Sequence, residues 1–207
     1  MSSVLTALAL VAAGYLIGSL PWGYWLPLWL KRVDIRTVGS GNTGATNVWR
    51  TFGFKLGLAV ALLDIAKGAA AALLGLWLAD DLAALLAGAG AVVGHYRPIF
   101  LRFARGGKAV AVVGGVGLAL APFATLSAAG VWILVFLVTR YASVASIVAA
   151  LSLPLFALLF GASVTVLVFA AAAALAVILL HRANIQRLRT GTEKRITLRR
   201  RRGAVAA

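Results

Sequence analysis

Between Gly39 and Arg50 the chain reads Gly-Ser-Gly-Asn-Thr-Gly-Ala-Thr-Asn-Val-Trp-Arg, a run suited to holding an anion. Glycines let neighbouring backbone N–H groups converge on one point. Ser40, Asn42 and Asn47 can add neutral hydrogen bonds, and Arg50 can grip a phosphate through two parallel donors. A flexible linker could carry the same residues, but it has no need of two asparagines, a serine and an arginine beside a membrane. A second glycine-rich turn, Arg105-Gly106-Gly107-Lys108, comes just before an apolar stretch. A helix N-terminus and the Lys108 ammonium would both favour an anion there. The turn does not fit the GxxxxGK[ST] phosphate loop, and taken alone it could be a basic turn and nothing more.

His181 and Asn184 are three residues apart, so one helix face presents an imidazole and an amide, with Glu193 following after Arg187 and Gly191. An imidazole can act as a general base near neutral pH, though a histidine at the end of an apolar span can equally be an interfacial residue. Asp64 and Lys67 also share a helix face, inside an apolar stretch. Ionisable residues in a span are functional candidates, with an internal ion pair as the alternative. For Asp64 the structural role is preferred. His95 is expected to cap or hydrogen-bond rather than catalyse. Ser143 and Ser146 can meet a ligand or bond back to the preceding turn, and the second is favoured. No cysteine is present, which excludes disulfides, thiolate zinc sites and a cysteine nucleophile. No metal and no cofactor are expected.

The elements that must position these groups are membrane helices. Of 207 residues, 62% are hydrophobic, and mean hydropathy is +0.99; a soluble domain is about 45–50% apolar. A net charge of +15 could suggest nucleic-acid binding. Apolar runs separate the basic clusters, however, which fits membrane topology and argues against a nucleic-acid partner. About 20 apolar residues cross a bilayer as a helix. Spans are predicted at 4–30 (interrupted at Pro21-Trp22-Gly23), 56–78, 82–94 extending to Phe100, 109–121, 124–138, 143–160 and 163–180. The segment 31–55 reads as a loop. The fold class is therefore all-α integral membrane, with seven transmembrane helices in residues 1–198 and a basic tail over 199–207. Loops 31–55, 97–108 and 139–141 and the tail hold every Lys and Arg except Lys67, while the other side holds Asp80 and Asp81. The positive-inside rule places the N-terminus outside and the C-terminus in the cytoplasm. Arg199 to Arg202 read as an anchor to anionic lipid. Glycines such as Gly75, Gly88, Gly90, Gly114, Gly115 and Gly117 read mostly as packing residues.

These segments, in this order, resemble the bacterial acyl-phosphate:glycerol-3-phosphate acyltransferase family (PlsY). Gly39 to Arg50 is similar to its GSGNxGATNxxR motif without a mismatch. Asp64, Lys67 and Gly68 match DxxKG, and Gly94, His95 and Pro98 match GHxxP. His181, Asn184, Ile185, Arg187, Leu188, Gly191 and Glu193 match HxxNIxRLxxGxE. The middle motif departs from the family's FxGGKGVAT. One residue is added before the glycines, Ala109 stands where the family has glycine, and Val112 stands where it has threonine. Ala109 disfavours positive φ, so the loop is expected to cradle an anion less closely.

The resemblance implies transfer of a fatty acyl group from acyl phosphate to the first hydroxyl of glycerol-3-phosphate, at the cytoplasmic face of a bacterial inner membrane containing anionic lipids. The products are lysophosphatidic acid and phosphate. Ser40, Asn42, Asn47, Arg50, Gly106 and Gly107 would bind phosphate groups. Lys108, His181 and Asn184 would act at the reacting centre, with Asp64, Lys67, Ser143 and Glu193 in support. Either His181 or a substrate phosphate would be the base, the phosphate being favoured. The HxxxxD signature of other acyltransferases is absent, since Phe100 follows His95 and Gln186 follows His181 at that distance. The altered middle motif leaves a weakened paralogue as an alternative reading, and a small phosphate-ester transporter is another.

Overall fold

Pro21 has no backbone N–H, so the first apolar stretch, 28 residues from Val4 to Lys31, breaks there into α1 (Ser3–Gly18) and α2 (Trp22–Lys31). A computed structural model describes residues 3–197, so the basic run Arg199 to Arg202 lies outside the described residues. After a single 3-10 turn at Ile35–Thr37 come α3 (Ala45–Phe52) and α4 (Phe54–Leu78). Helix α5 (Asp81–Tyr96) is N-capped by Asp80, whose Oδ1 accepts from the Ala83 N–H at 2.9 Å, and a 3-10 turn at Ile99–Leu101 prolongs it. Next are α6 (Val110–Leu120), α7 (Pro122–Thr139) and α8 (Ala142–Leu159). Helices α9 (Val164–Leu180) and α10 (Arg182–Arg189) meet at 55°.

Among the described residues, five helical segments are long and apolar enough to cross a membrane, six if α9 and α10 count as one, and α6 is a shorter apolar helix. Helix α1 packs on α5, α4 on both α5 and α6, α7 on α8, and α8 on α9. Small residues allow this closeness: a Cβ added at Gly115 of α6 would fall 2.0 Å from the Ile65 carbonyl oxygen of α4. The interior centres on Val113, Val116, Ala128, Leu153 and Phe169. Leu73, Leu126, Leu155 and Val168 point outward, the arrangement of a bundle solvated by lipid rather than water.

The polar stretch 31–55 is more than a loop. Val48 and Phe52, four apart on α3, pack with Ile35 and Val60, so one face of a two-turn helix is buried. Helix α4 then begins at Phe54 rather than Leu56, and α6 at Val110 rather than Ala109. The described basic segments meet at one end of the bundle. The Asn42 amide donates to the Gly106 carbonyl at 2.9 Å, Arg50 to the Lys194 carbonyl at 2.7 Å, and the Ile196 N–H to the Arg140 carbonyl at 2.9 Å. At the other end, the Ser163 hydroxyl donates to Asp81 Oδ2 at 2.9 Å.

Candidate active site

The first glycine-rich loop is organised around Asn47, which α3 presents inward. Its Oδ1 accepts from the Ser40 N–H at 2.9 Å, and its Nδ2 donates to the Asn42 and Val38 carbonyls at 2.9 and 3.2 Å. Gly39 and Gly41 take left-handed conformations, φ 65° and 67°, which a side chain would strain. Asn42 clasps its own loop and the next: Oδ1 accepts from the Gly44 N–H at 2.8 Å, and Nδ2 reaches Gly106. Both asparagine side chains thus hold the loop in shape, and Ser40, Asn42, Asn47 and Arg50 all line a cavity. Arg50 gives one guanidinium N–H to Lys194, and its buried Nε has no partner among the described residues. Burial lowers its pKa first, Glu193 opposes this, and Arg187 adds to it.

The second loop rests on a buried cluster. Lys67 Nζ lies 2.8 Å from Asp64 Oδ1, 2.7 Å from the Leu20 carbonyl freed at the Pro21 break, and 2.9 Å from His95 Nδ1. The ammonium donates to the Leu20 carbonyl and to His95 Nδ1, while Asp64 faces it as an ion-pair partner. His95 in turn supports the glycines. A Cβ at Gly106 would fall 2.1 Å from the His95 carbonyl oxygen, and one at Gly107 would fall 2.0 Å from its Nε2. Gly106, Gly107 and Lys67 do not reach the cavity wall, whereas Asp64, His95 and Lys108 do. Ala109 adopts φ 62°, the left-handed conformation a glycine would take easily and an alanine takes at a cost.

The third part is α10 with the strand of chain that follows it. Glu193 accepts from Ser143 Oγ at 2.9 Å, Asn184 Nδ2 at 2.7 Å and Arg187 Nε at 2.7 Å. Burial alone would raise the Glu193 pKa, but these three hydrogen bonds hold it below the ordinary value. With Nδ2 on Glu193, Asn184 must turn Oδ1 to Lys108 Nζ, at 2.5 Å. Burial first, then Arg187, Arg50 and Arg105, push Lys108 down to about 8, while Glu193 pulls the other way. His181, just beyond α9, has Nδ1 on the Val177 carbonyl at 2.8 Å. A carbonyl only accepts, so Nδ1 carries the proton and Nε2 is left as an acceptor. Burial and the Lys108 charge lower His181 to about 4.

The polar groups open onto a cavity of about 500 Å³ that continues down between α4, α6, α7, α8 and α9. Its lower walls are apolar, and the sequence did not reveal them. Trp132 is fixed there by its indole N–H on Ser146 Oγ at 3.1 Å, while Ser146 bonds back to the Ala142 carbonyl at 2.7 Å. Below it the wall is made of small residues, among them Gly114, Ala128 and Ala150, with Thr125 and Leu153 at the far end. The clue was composition: alanine and glycine at helical spacing on several spans leave room as readily as they pack.

Fold and site together define a class: a helical membrane protein with a cation-rich pocket at one end, set over an apolar cavity. A sequence model described as "Glycerol-3-phosphate acyltransferase" matches residues 8–191. The chain belongs to the glycerol-3-phosphate acyltransferase family. It is 46% identical over 197 residues to a glycerol-3-phosphate acyltransferase of Desulforudis audaxviator, covering 95% of this chain and 99% of the relative. It is 47% identical over 193 residues to one of a Synechococcus species, covering 93% and 96%. The crystal structure of PlsY, an integral membrane glycerol 3-phosphate acyltransferase, in its glycerol 3-phosphate form superposes with TM-score 0.87 at 43% identity, covering 92% of this chain and 96% of that one. Its lysophosphatidic acid form gives TM-score 0.85 at 42% identity, covering 92% and 95%.

Proposed function

We propose that this protein transfers a fatty acyl group from acyl phosphate to the first hydroxyl of glycerol-3-phosphate. The observation that carries the reading is the join of two unlike half-sites. Arg50, Lys108 and Arg187 crowd one end of the cavity with Glu193 as their carboxylate partner, and the other end is apolar. Such a site suits a molecule with a phosphate at one end and a hydrocarbon tail at the other.

Acyl phosphate is an activated mixed anhydride, so the hydroxyl can attack its carbonyl carbon directly. The new C–O ester bond forms, the bond from carbonyl carbon to phosphate oxygen breaks, and inorganic phosphate leaves. Lys108 and Arg50 stabilise the charge gathering on phosphate and oxyanion. His181 Nε2 accepts the hydroxyl's hydrogen bond and orients it. With a pKa of about 4, His181 is a weak base near neutrality, whereas a phosphate monoester takes a proton at about 6. The phosphate of glycerol-3-phosphate is therefore favoured over His181 as the proton acceptor. Ser40, Asn42 and Asn47 shape the first cradle, with Gly106 and Gly107 behind the second. Ser143, Asn184 and Glu193 hold the Lys108 ammonium in line.

The chain crosses a bacterial inner membrane seven times, α6 and the α9–α10 pair included, with the N-terminus outside and the site facing the cytoplasm. The bilayer's anionic lipids pair with the basic end. A transporter would need a path to the far side, and the cavity instead ends at Thr125 and Leu153. A weakened paralogue is disfavoured because the second loop keeps Lys108 on Asn184 with Ala109 in place.

The test is acyl transfer from palmitoyl phosphate to glycerol-3-phosphate by the purified chain, with Arg50→Ala beside it. Loss of a buried charge contact costs about 2–5 kcal/mol, roughly 30-fold or more in rate. Flux without chemistry, or wild-type turnover by Arg50→Ala, overturns the assignment.

A further inference from the structure

We propose that Gly114 determines which acyl chains the enzyme accepts, because its absent side chain is the gap through which the tail reaches the blind end of the cavity. The inference rests on the acyl phosphate reading of the site.

Neighbouring glycines differ in what they face. A Cβ at Gly115 would collide with the α4 backbone, whereas one at Gly114 would meet no heavy atom within 4 Å. Packing therefore does not require glycine at 114, and glycine weakens a helix relative to alanine. What Gly114 faces is the cavity. It lies one turn below Val110, about 6 Å further from the phosphate end at 1.5 Å per residue.

Past that level the cavity closes. Along α8 its wall runs from Ser143 to Leu153, about 15 Å at the same rise. Thr125 and Leu153, 6% and 5% exposed, form its floor. Leu153 packs into the same cluster as Val116 and Phe169, and Thr125 abuts Gly117 of α6, so the floor is backed by filled core. The sideways opening is higher up, where Leu58 of α4 and Ile133 of α7 are 42% and 52% exposed. A tail entering from the bilayer there must pass Gly114 to fill the buried part. Short tails stop at or above Gly114, and long tails need the space it leaves.

The experiment measures kcat/KM for octanoyl, lauroyl, palmitoyl and stearoyl phosphate with the full chain at saturating glycerol-3-phosphate. Gly114→Phe should lower the palmitoyl-to-octanoyl ratio at least about tenfold, since a single methylene in an apolar pocket can count for about 10-fold or more. Gly130→Phe is the control. A Cβ there also meets nothing within 4 Å, but Gly130 does not line the cavity, so its ratio should match wild type. Leu153→Ala, which lowers the floor, should raise the stearoyl-to-palmitoyl ratio severalfold. It decides the matter should Gly114→Phe fail to fold. A wild-type chain-length profile in either Gly114→Phe or Leu153→Ala overturns the proposal, as does an equal shift in Gly130→Phe. A wild-type protein that uses none of the four donors overturns the functional reading instead.

Discussion

Lys108 sits where burial and three arginines oppose its charge, with a pKa of about 8 in the substrate-free protein. In the proposed mechanism the cation is the form that binds phosphate, and it is lost as pH rises through that value. The pH profile of kcat/KM reports groups of the free enzyme and substrate, so it should fall above pH 8 or so. Lys108→Arg keeps its charge and should lack that falling limb even if its rate is lower. A wild-type profile flat through this range removes Lys108 from phosphate binding. Its neighbour Ala109 sits at positive φ. The left-handed conformation costs an alanine about 1–2 kcal/mol. Glycine would relieve that but lose about 0.8 kcal/mol of methyl burial and about 0.5–1 kcal/mol of chain entropy. Ala109→Gly should therefore leave the thermal midpoint in detergent nearly unchanged, whereas Ala109→Val, β-branched at positive φ, should lower it clearly. At this scale the sequence spoke well about types: Arg50, Lys108, His181 and Asn184 do converge. It could not show that Asn47 turns its amide to the loop backbone, because side-chain direction depends on α3, a helix too short and polar for hydropathy to reveal.

Among the elements, α4 and α5 are joined by the buried Asp64–Lys67–His95 cluster, which also holds the broken end of α1 through Leu20. Spacing exposed the Asp64–Lys67 pair, but their attachment to Leu20 and His95 arises from helix packing and left no local trace. Removing one partner of a buried pair leaves a charge unmatched and costs about 3–5 kcal/mol, while replacing both by apolar residues is often near neutral. Asp64→Leu alone and Lys67→Met alone should each lower thermal stability sharply, and the double variant should recover much of it. Asp64 reaches the cavity wall and Lys67 does not, so the brace is tested by thermal stability and not by turnover. A double variant no more stable than either single one would mean that the cluster is not a coupled brace. The spans were legible by length and apolarity, and the breaks by Pro21 and Pro122. The bend at His181 was not, since α10 reads in sequence as a basic tail and is turned by its contacts with Lys108 and Glu193.

At the scale of the whole molecule, charge and chemistry share one end. The segments carrying Arg50, Lys108, Arg140 and Arg187 are tied together there by hydrogen bonds from Asn42, Arg50 and Ile196. The turns at Asp80–Asp81 and Ser163 meet at the other end. Moving a basic loop across the bilayer is opposed by the bias that keeps Lys and Arg in the cytoplasm, so the proposed orientation rests on the same residues that form the candidate site. A reporter active only in the cytoplasm should work when placed in the turn at Thr190–Thr192, and one active only outside should work between Ala79 and Asp80. Both insertions fall outside the long helices, so the bundle should survive them. Matched kinetics give an independent reading: in sealed inverted vesicles glycerol-3-phosphate, which is charged and does not cross lipid freely, should be acylated without detergent, whereas right-side-out vesicles should need permeabilisation. The opposite reporter pattern would overturn the topology. A correct reporter pattern with latent activity in inverted vesicles would mean that the cation-rich end is cytoplasmic but is not where glycerol-3-phosphate enters.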